Sequence, residues 1–296
     1  MKILVTGATG FIGSHLTRKL VEEGHSVEII VRKESPVERL QKVKEKIRIH
    51  LYEESLESME NIFKKARPEQ VIHLASYFVA EHSPGDLEPM VRGNLLFPLH
   101  LLEAMSRQGV SSLLTTATFW QHYRHEKYSP ASLYAATKQA FEDILLFYVG
   151  AKKMRALILT LYDTYGPGDF RPKLFNRLRK AAEEKSVLNM SPGEQKLDLV
   201  YIDDCVEGFL SAANCLSDFS EGALQKFALA SGVPVSLKEV VATYEKVLGI
   251  KLKIGWGEKP YRGREMMRPW VVDPILPGWR PRTTLIQGIR KMEEGQ

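Results

Sequence analysis

The sequence predicts a doubly wound α/β fold, in which helices cover both faces of a parallel β-sheet, followed by a smaller, irregular C-terminal lobe. Short apolar runs alternate with longer helical patterns between residues 1 and 165. The runs are continuous rather than alternating, as expected for parallel strands that are buried on both faces. Strands that alternate with helices in this way are joined by right-handed crossovers, which build a parallel sheet.

The predicted strands share this continuous apolar character: Ile3–Val5, Val27–Val31, Ile47–Leu51, Val71–Leu74, Leu113–Thr116 and Leu157–Leu161. The helices between them have apolar residues at helical spacing: His15–Glu23, Met59–Ala66, Leu95–Gln108 and Ser132–Tyr148. Gly24 is placed to end the first helix, since glycine is common just past a helix C-terminus.

The pattern changes after Gly166, where proline and glycine divide the chain into shorter elements. We predict four helices and one strand here: Lys173–Lys185, Asp204–Leu216, Leu237–Leu248 and Leu285–Met292 as helices, and Lys226–Ala230 as the strand. The segment 255–281 is rich in Gly, Pro, Trp and Arg and is predicted to form loops. The chain therefore divides into parts 1–168 and 169–296, with segments of the second part returning to pack on the first.

Composition excludes several classes of protein. The 296 residues include 41 basic and 36 acidic side chains, and this net charge of +5 is interspersed along the chain. Nucleic-acid binding would need basic and aromatic residues gathered on one face, and the sequence has no such patch. No apolar run approaches the ~18 residues of a membrane span. Because the chain begins directly with a strand and has no leader pattern, we expect a cytoplasmic protein.

Cysteine usage is equally sparse. Cys205 and Cys215 are too few for a disulfide framework, and they are predicted to be buried free thiols on one helix. No cluster of metal ligands is indicated.

The strongest local signal is a glycine turn between the first strand and the first helix: Gly7-Ala8-Thr9-Gly10-Phe11-Ile12-Gly13. Gly7 permits the tight turn, Gly10 lets the backbone approach a diphosphate, and Gly13 allows close helix–strand packing. The diphosphate of a dinucleotide then binds at the positive N-terminus of the helix. This Rossmann-type context predicts a cofactor site that includes Thr9, Phe11 and Ile12.

The end of the second strand predicts the choice of cofactor. NAD enzymes place an acid there to bind the ribose hydroxyls. Here Val31 is followed by Arg32 and Lys33, two cations that suit a 2′-phosphate. We therefore expect NADP(H) to be favoured over NAD(H).

A Tyr and a Lys four residues apart lie on one face of the helix that follows the fifth strand, namely Tyr134 and Lys138. A lysine ammonium one turn away, together with an oxidised nicotinamide, would favour the phenolate and lower the tyrosine pKa. Thr118 comes at the carboxyl end of the fifth strand, where its hydroxyl could donate to a substrate oxygen. The three residues form a candidate catalytic set.

With these residues in place, the chain resembles the extended short-chain dehydrogenases that act on nucleoside-diphosphate sugars. The resemblance covers nearly the whole chain and rests on these segments in family order: the glycine turn, His73-Leu74-Ala75-Ser76, Asn94, Tyr134 with Lys138, Tyr165-Gly166-Pro167, Tyr201-Ile202-Asp203-Asp204 and Thr284-Leu285. It implies that Thr118 is the catalytic hydroxyl and that Leu74, Ala75, Ser76 and Asn94 lie on the cofactor side. It also implies a homodimer.

A closer likeness is to the CDP-4-dehydro-6-deoxyglucose reductases, also called CDP-abequose or CDP-paratose synthases. Three long stretches carry it: Phe119–Tyr123, Leu133–Glu142 and Asp163–Phe175. Sugar 4,6-dehydratases of the wider family follow the catalytic Thr with an Asp and a Glu, where this chain has Phe119 and Trp120. A further departure is Leu197 in place of a phosphate-binding Arg, which leaves Arg262, Arg264 or Arg268 to contact the diphosphate.

The resemblance implies a reductase that transfers hydride from NADPH to the C4 ketone of a 4-dehydro-6-deoxy sugar nucleotide. Tyr134 would protonate the alkoxide, Thr118 would polarise the carbonyl, and Lys138 would tune Tyr134. Trp120 and Asp163 are expected to contact the sugar. Two alternatives stay open: an NAD-dependent sugar 4-epimerase that uses the same residues, and a non-catalytic NADP-sensing regulator.

Overall fold

A computed structural model describes residues 1–271 and 273–295, and its centre is a seven-stranded sheet. Every pair of neighbouring strands is parallel, in the order β11-β6-β5-β4-β1-β2-β3. The strands are β1 (Lys2–Thr6), β2 (Ser26–Val31), β3 (Ile47–Leu51), β4 (Gln70–His73), β5 (Ser112–Thr118), β6 (Arg155–Leu161) and β11 (Leu224–Leu229). The predicted doubly wound α/β fold is confirmed.

The apolar strands bury side chains on both faces of the sheet. Leu114 faces the same core cluster as the first helix, whereas its neighbour Leu113 faces the opposite cluster, and both are fully buried. Ile3 and Leu4 divide in the same way. This two-sided burial is the reason that the strands are continuous apolar runs in the sequence.

Nine α-helices lie in the described part of the chain: α1 (Phe11–Glu22), α2 (Leu56–Ala66), α3 (Leu87–Val91), α4 (Phe97–Arg107), α5 (Leu133–Lys152), α6 (Leu174–Glu184), α7 (Ile202–Leu216), α8 (Leu237–Leu248) and α9 (Leu285–Glu294). Ser132 caps α5, accepting a hydrogen bond from the Ala135 amide. The helix predicted over Leu95–Gln108 is longer than expected, because α3 and one π-turn, Arg92–Leu96, run directly into α4. Such π-turns are frequent at functional sites.

The first helix begins at Phe11 rather than at His15, so Gly13 is inside it. Another difference concerns the connection between β2 and β3, which forms 3₁₀ turns over Val37–Lys46. Among the described helices, none combines the length and apolar character that a membrane crossing requires.

The chain beyond residue 168 contributes to the main sheet and also forms smaller pairings. Strand β11 extends the sheet beside β6, and α7 packs against α1, with Cys205 buried and Cys215 half-buried on it. The remaining short strands are β7 (Asp163–Tyr165) with β10 (Leu199–Tyr201), β8 (Val187–Met190) with β13 (Lys253–Trp256), and β9 (Lys196–Leu197) with β12 (Val235–Ser236). The predicted loop segment 255–281 thus begins inside β13. The boundary at residue 168 stays a prediction.

Candidate active site

The sheet reverses its strand order between β1 and β4, and two adjoining clefts open at the carboxyl ends of these strands. The larger cleft has a volume of about 590 Å³ and runs from the glycine turn toward β2 and β3. The smaller cleft, of about 260 Å³, runs from the same turn toward the ends of β5 and β6. In open α/β sheets such a switch point is where ligands bind.

The glycine turn packs too closely for any side chain. A Cβ atom at Gly13 would lie 2.1 Å from the carbonyl oxygen of Gly7, and one at Gly7 would lie 2.5 Å from the Ala75 amide nitrogen. Gly7 also adopts a φ of +70°, which disfavours other residues. Gly10 is the N-cap of α1 and has no side-chain cap, so the first-turn amides are free to bind an anion. The turn therefore fits the diphosphate of a dinucleotide.

The larger cleft has cations beside an apolar wall. Ile30 and Val31 at the end of β2 border it together with Arg32 and Ser35, whose hydroxyl accepts a hydrogen bond from the Arg32 amide. The carboxylate of Glu54 also borders this cleft, and it pairs with Arg92 at 3.7 Å.

One side chain of the 3₁₀ segment reaches across the glycine turn. The Arg39 guanidinium donates to the Thr9 carbonyl oxygen at 2.8 Å and stacks on the ring of Phe170, 3.2 Å from its centroid. Phe170 belongs to the loop before α6 and borders both clefts. The two residues thus join distant parts of the chain next to the glycine turn.

The candidate catalytic residues come from β5 and α5. Thr118 ends β5 and borders the smaller cleft, as does Tyr134 in the first turn of α5. The ring of Phe78 packs against Tyr134 with centroids 4.9 Å apart and an interplanar angle of 87°. Lys138 is buried one turn further along α5, and its ammonium donates to the Thr116 hydroxyl at 3.3 Å.

Burial shifts the pKa values of Tyr134 and Lys138. It raises the pKa of Tyr134 to about 12, opposed by a hydrogen bond with Ser76 and by the charge of Arg171. It lowers the pKa of Lys138 to about 8, with Glu142 opposing and Lys226 adding to the shift. Both shifts follow from the cost of a charge in an apolar surrounding. Without a cofactor, Tyr134 is therefore a protonated phenol at neutral pH. That an oxidised nicotinamide lowers the pKa of Tyr134 stays a prediction.

Asn94 joins the segment after β4 to α5. Its Oδ1 accepts from the Ser76 hydroxyl at 3.1 Å and from the Tyr77 amide at 2.7 Å. Its Nδ2 donates to the Tyr77 carbonyl at 3.0 Å and to the Thr137 hydroxyl at 2.9 Å. Asn94 therefore holds Ser76 beside Tyr134.

Charged side chains surround the far end of the smaller cleft. Burial raises the pKa of Asp163, whereas Lys173, Arg262 and Arg171 pull it downward and the nearby Asp198 adds to the rise. Burial also lowers the pKa of Lys173. Asp163, Arg171 and Lys173 all border the cleft, so cations are concentrated where an anionic ligand could extend from the catalytic residues.

A third hollow, of about 120 Å³, adjoins Trp120. Arg262 stacks on the Trp120 ring at 4.9 Å and forms an ion pair with Glu265 at 2.7 Å. Arg264 lies 4.3 Å from the ring centroid of Tyr123 and also borders the hollow. Since Trp120 borders the smaller cleft too, the hollow continues it.

Most of the predicted site residues border these clefts. They are Gly7, Thr9, Gly10, Phe11, Ile12, Gly13, Arg32, Leu74, Ala75, Ser76, Thr118, Trp120, Tyr134, Asp163, Arg262 and Arg264. The described residues that border the clefts do not include four other predicted site residues, namely Lys33, Asn94, Lys138 and Arg268. Sequence reasoning missed Arg39, Phe170, Arg171 and Lys173. The last three lie within the family-like stretch Asp163–Phe175, whereas Arg39 has no motif that could have indicated it.

The sequence profile of the NAD dependent epimerase/dehydratase family matches residues 3–222. The chain belongs to this family. It is thereby an NAD(P)-dependent enzyme of the extended short-chain dehydrogenase type, and the predicted resemblance is confirmed.

Relatives within the family match almost the entire chain. The chain is 27% identical to the CDP-abequose synthase of Salmonella muenchen, covering 98% of this chain and 96% of that one. It is 28% identical to the CDP-abequose synthase of Yersinia pseudotuberculosis, covering 91% and 92%. The solved structure of the Thermus thermophilus UDP-glucose 4-epimerase in complex with NAD superimposes with a TM-score of 0.81 at 25% identity, covering 99% and 98%.

Proposed function

We propose that this family member reduces the C4 ketone of a nucleoside-diphosphate 4-dehydro-6-deoxy sugar and prefers NADPH to NADH. The observation that carries the proposal is the pair of aromatic residues after Thr118. Phe119 is buried and stacks on Tyr162 with centroids 5.0 Å apart, while Trp120 borders the smaller cleft. Neither side chain can transfer a proton, so the segment lacks an acid–base pair for elimination of water.

The catalytic set suits proton donation to a new alkoxide. A bound nicotinamide dinucleotide supplies the hydride. Tyr134 has a pKa of about 12, which keeps its phenol protonated and ready to donate at neutral pH. Thr118 donates a hydrogen bond to the C4 oxygen, and the ammonium of Lys138 stabilises negative charge that develops on the phenol oxygen.

Several contacts support binding of the cofactor. The uncapped amides after Gly10 bind the diphosphate. Arg32, Ser35 and Arg39 border the larger cleft and would surround a 2′-phosphate, and Lys33 follows Arg32 directly in the chain. Guanidinium groups match phosphate oxygens in geometry and charge. No acid follows Val31 at the position where NAD enzymes bind the ribose hydroxyls.

The charged end of the smaller cleft supports a nucleotide-linked sugar as the substrate. Lys173, Arg171 and Arg262 would bind the diphosphate, with Arg264 beyond them, and Asp163 would accept hydrogen bonds from sugar hydroxyls. Trp120 would pack against the sugar ring. The near full-length similarity to CDP-abequose synthases favours a CDP-linked substrate.

An NAD-dependent sugar 4-epimerase is the second candidate, favoured by the similarity to the UDP-glucose 4-epimerase of Thermus thermophilus. The two functions differ in their use of the cofactor. A reductase consumes one NADPH for each product, whereas an epimerase returns its nicotinamide to the original redox state.

The deciding experiment supplies NADPH with CDP- and dTDP-linked 4-dehydro-6-deoxyglucose, follows absorbance at the nicotinamide band, and identifies the products by NMR. We expect stoichiometric NADPH oxidation and a 4-hydroxy product. Interconversion of UDP-glucose and UDP-galactose without net oxidation would establish the epimerase instead. CDP-glucose and dTDP-glucose should be left unchanged, and formation of a 4-dehydro-6-deoxy product would contradict the proposal.

We further propose a homodimer in the cytoplasm. On α4 and α5, Leu99, Leu146 and Phe147 are 38%, 57% and 60% exposed, an apolar surface that a second copy could cover. Light scattering should give twice the chain mass, and Phe147→Glu should reduce it to one chain with turnover measured in parallel. A single-chain mass for the unmodified protein would contradict the dimer.

A further inference from the structure

Gln121 is a buried amide directly behind the catalytic hydroxyl. Its side chain and backbone are fully excluded from solvent. Its Oε1 accepts from the Thr118 amide at 3.0 Å, and its Nε2 donates to Gln139 Oε1 at 2.9 Å and to Glu142 Oε1 at 2.8 Å. Both hydrogens of the amide group are therefore used, and each points to α5.

Glu142 links this amide to the rest of the catalytic set. It lies one turn after Lys138 on α5, the helix that also carries Tyr134. Its carboxylate forms an ion pair with Lys226 of β11 at 2.9 Å. The charge of Glu142 raises the pKa of Lys138, and the charge of Lys226 lowers it.

The other described contacts of Thr118 lie within the sheet and within its own short turn. Its strand pairing with Leu161 fixes it to the sheet. Its hydroxyl accepts from the Trp120 amide at 3.3 Å within the same short turn. Among the described hydrogen bonds, those of Gln121 are the ones that join this turn to α5 after Lys138, at Gln139 and Glu142.

We propose that Gln121 is a positioning residue of the active site, which holds Thr118 in register with Tyr134 and Lys138 through Glu142. The inference rests on the proposed reaction, in which Thr118 and Tyr134 act on the same oxygen. A displacement of 1 Å in such an arrangement can lower a rate by about a hundredfold. Binding of cofactor depends on other residues and should not change.

The first test is Gln121→Met, which keeps the approximate volume and removes every hydrogen bond of the amide. We expect kcat to fall about ten- to hundredfold, with the KM for the sugar and the Kd for NADPH within about threefold. The matched control is Gln70→Met, since Gln70 is also a buried glutamine and its amide binds the Ala213 carbonyl far from the site. The control should lower Tm by a similar amount and leave kcat unchanged.

The second test adds a negative charge to the contact and does not depend on Gln121→Met folding. Gln121→Glu keeps an acceptor for the Thr118 amide but brings a second carboxylate against Glu142. Relative to the unmodified protein, activity should be lost at neutral pH and recovered as the pH falls, because one proton on this pair restores a donor. Adding Glu142→Gln should restore activity at neutral pH, since the amide and the carboxylate are then exchanged.

A measurement without substrate separates this inference from the proposed reaction. In protein labelled with ¹³C at threonine methyls, the Thr118 signal is assigned by its loss in Thr118→Val. It should shift in Gln121→Met and Gln121→Glu, stay in place in Gln70→Met, and return in the double variant.

A protein that reduces none of the sugars would refute the proposed reaction, and the NMR signal would then decide the role of Gln121. An unmoved Thr118 signal would overturn the inference. So would folded Gln121→Met with kcat within threefold of the unmodified value, or a pH profile of Gln121→Glu parallel to that of the unmodified protein.

Discussion

The guanidinium of Arg39 stacks 3.2 Å from the ring centroid of Phe170, joining the connection after β2 to the loop before α6. The same guanidinium binds the Thr9 carbonyl, so it spans the turn in which a cofactor diphosphate would lie. Half of the Phe170 surface is exposed in spite of this contact. Since Phe170 borders both clefts and Arg39 borders the larger one, the pair lies where the two clefts meet.

Arg32 and Arg39 should therefore affect cofactor binding in different ways. Arg32→Ala should weaken NADPH binding about tenfold or more and leave NADH binding within about twofold, because a charge-assisted phosphate contact is lost. Arg39→Ala should weaken both cofactors, since it also removes the contact across the turn. Titration by fluorescence with each cofactor checks this. Equal affinities of the unmodified protein for NADPH and NADH would contradict the predicted preference.

Tyr134→Phe tests the proton donor. The change keeps the ring against Phe78 and removes only the hydroxyl, so NADPH affinity and Tm should barely move. Turnover should fall roughly 10²–10⁴-fold, the usual effect of losing a positioned acid. Thr118→Val should give a smaller loss because it removes a polarising group and not the proton source. A folded Tyr134→Phe protein with more than about a tenth of normal kcat would rule out this mechanism.

The alkaline limb of the pH–rate profile should report Lys138. Its ammonium is present below a pKa of about 8 and is lost as the pH rises through that value, so turnover should fall there. Removing the negative charge with Glu142→Gln should move the limb to lower pH. Removing the positive charge with Lys226→Met should move it to higher pH. Shifts in the same direction for both variants would show that another group titrates.

Gly13→Ala tests the close packing of the glycine turn. The new Cβ would meet the Gly7 carbonyl at 2.1 Å, which forces the turn to move. We expect a loss of about 1–3 kcal/mol in stability from overpacking, together with weaker binding of both cofactors.

Gly150→Ala is the control, because Gly150 lies in α5 and a Cβ added there would meet nothing within 4 Å beyond its own helix. Its stability should stay equal or rise by up to about 1 kcal/mol. Similar melting temperatures and cofactor affinities for both variants would contradict the packing argument.

Local sequence features predicted the sheet and most of the residues that the sequence analysis named and that border the clefts. The glycine turn, the Tyr134–Lys138 pair and the position of Thr118 at the end of β5 were recognisable because each depends on residues close together in the chain. The helix ends were less accurate: α1 begins at Phe11 since the glycine turn leads directly into it, and the π-turn before α4 has no sequence signature.

By itself, the sequence determined the doubly wound fold, the family, the cofactor turn and the absence of an acid–base pair after Thr118. Only the tertiary structure decided which side chains of separate elements meet: Arg39 against Phe170, Gln121 with Glu142, and Glu142 with Lys226. Periodicity and motif spacing describe contacts between near neighbours in the chain. Contacts between residues that are 84 or more positions apart, such as Glu142 with Lys226, arise only when the packing of the sheet and helices brings their elements together.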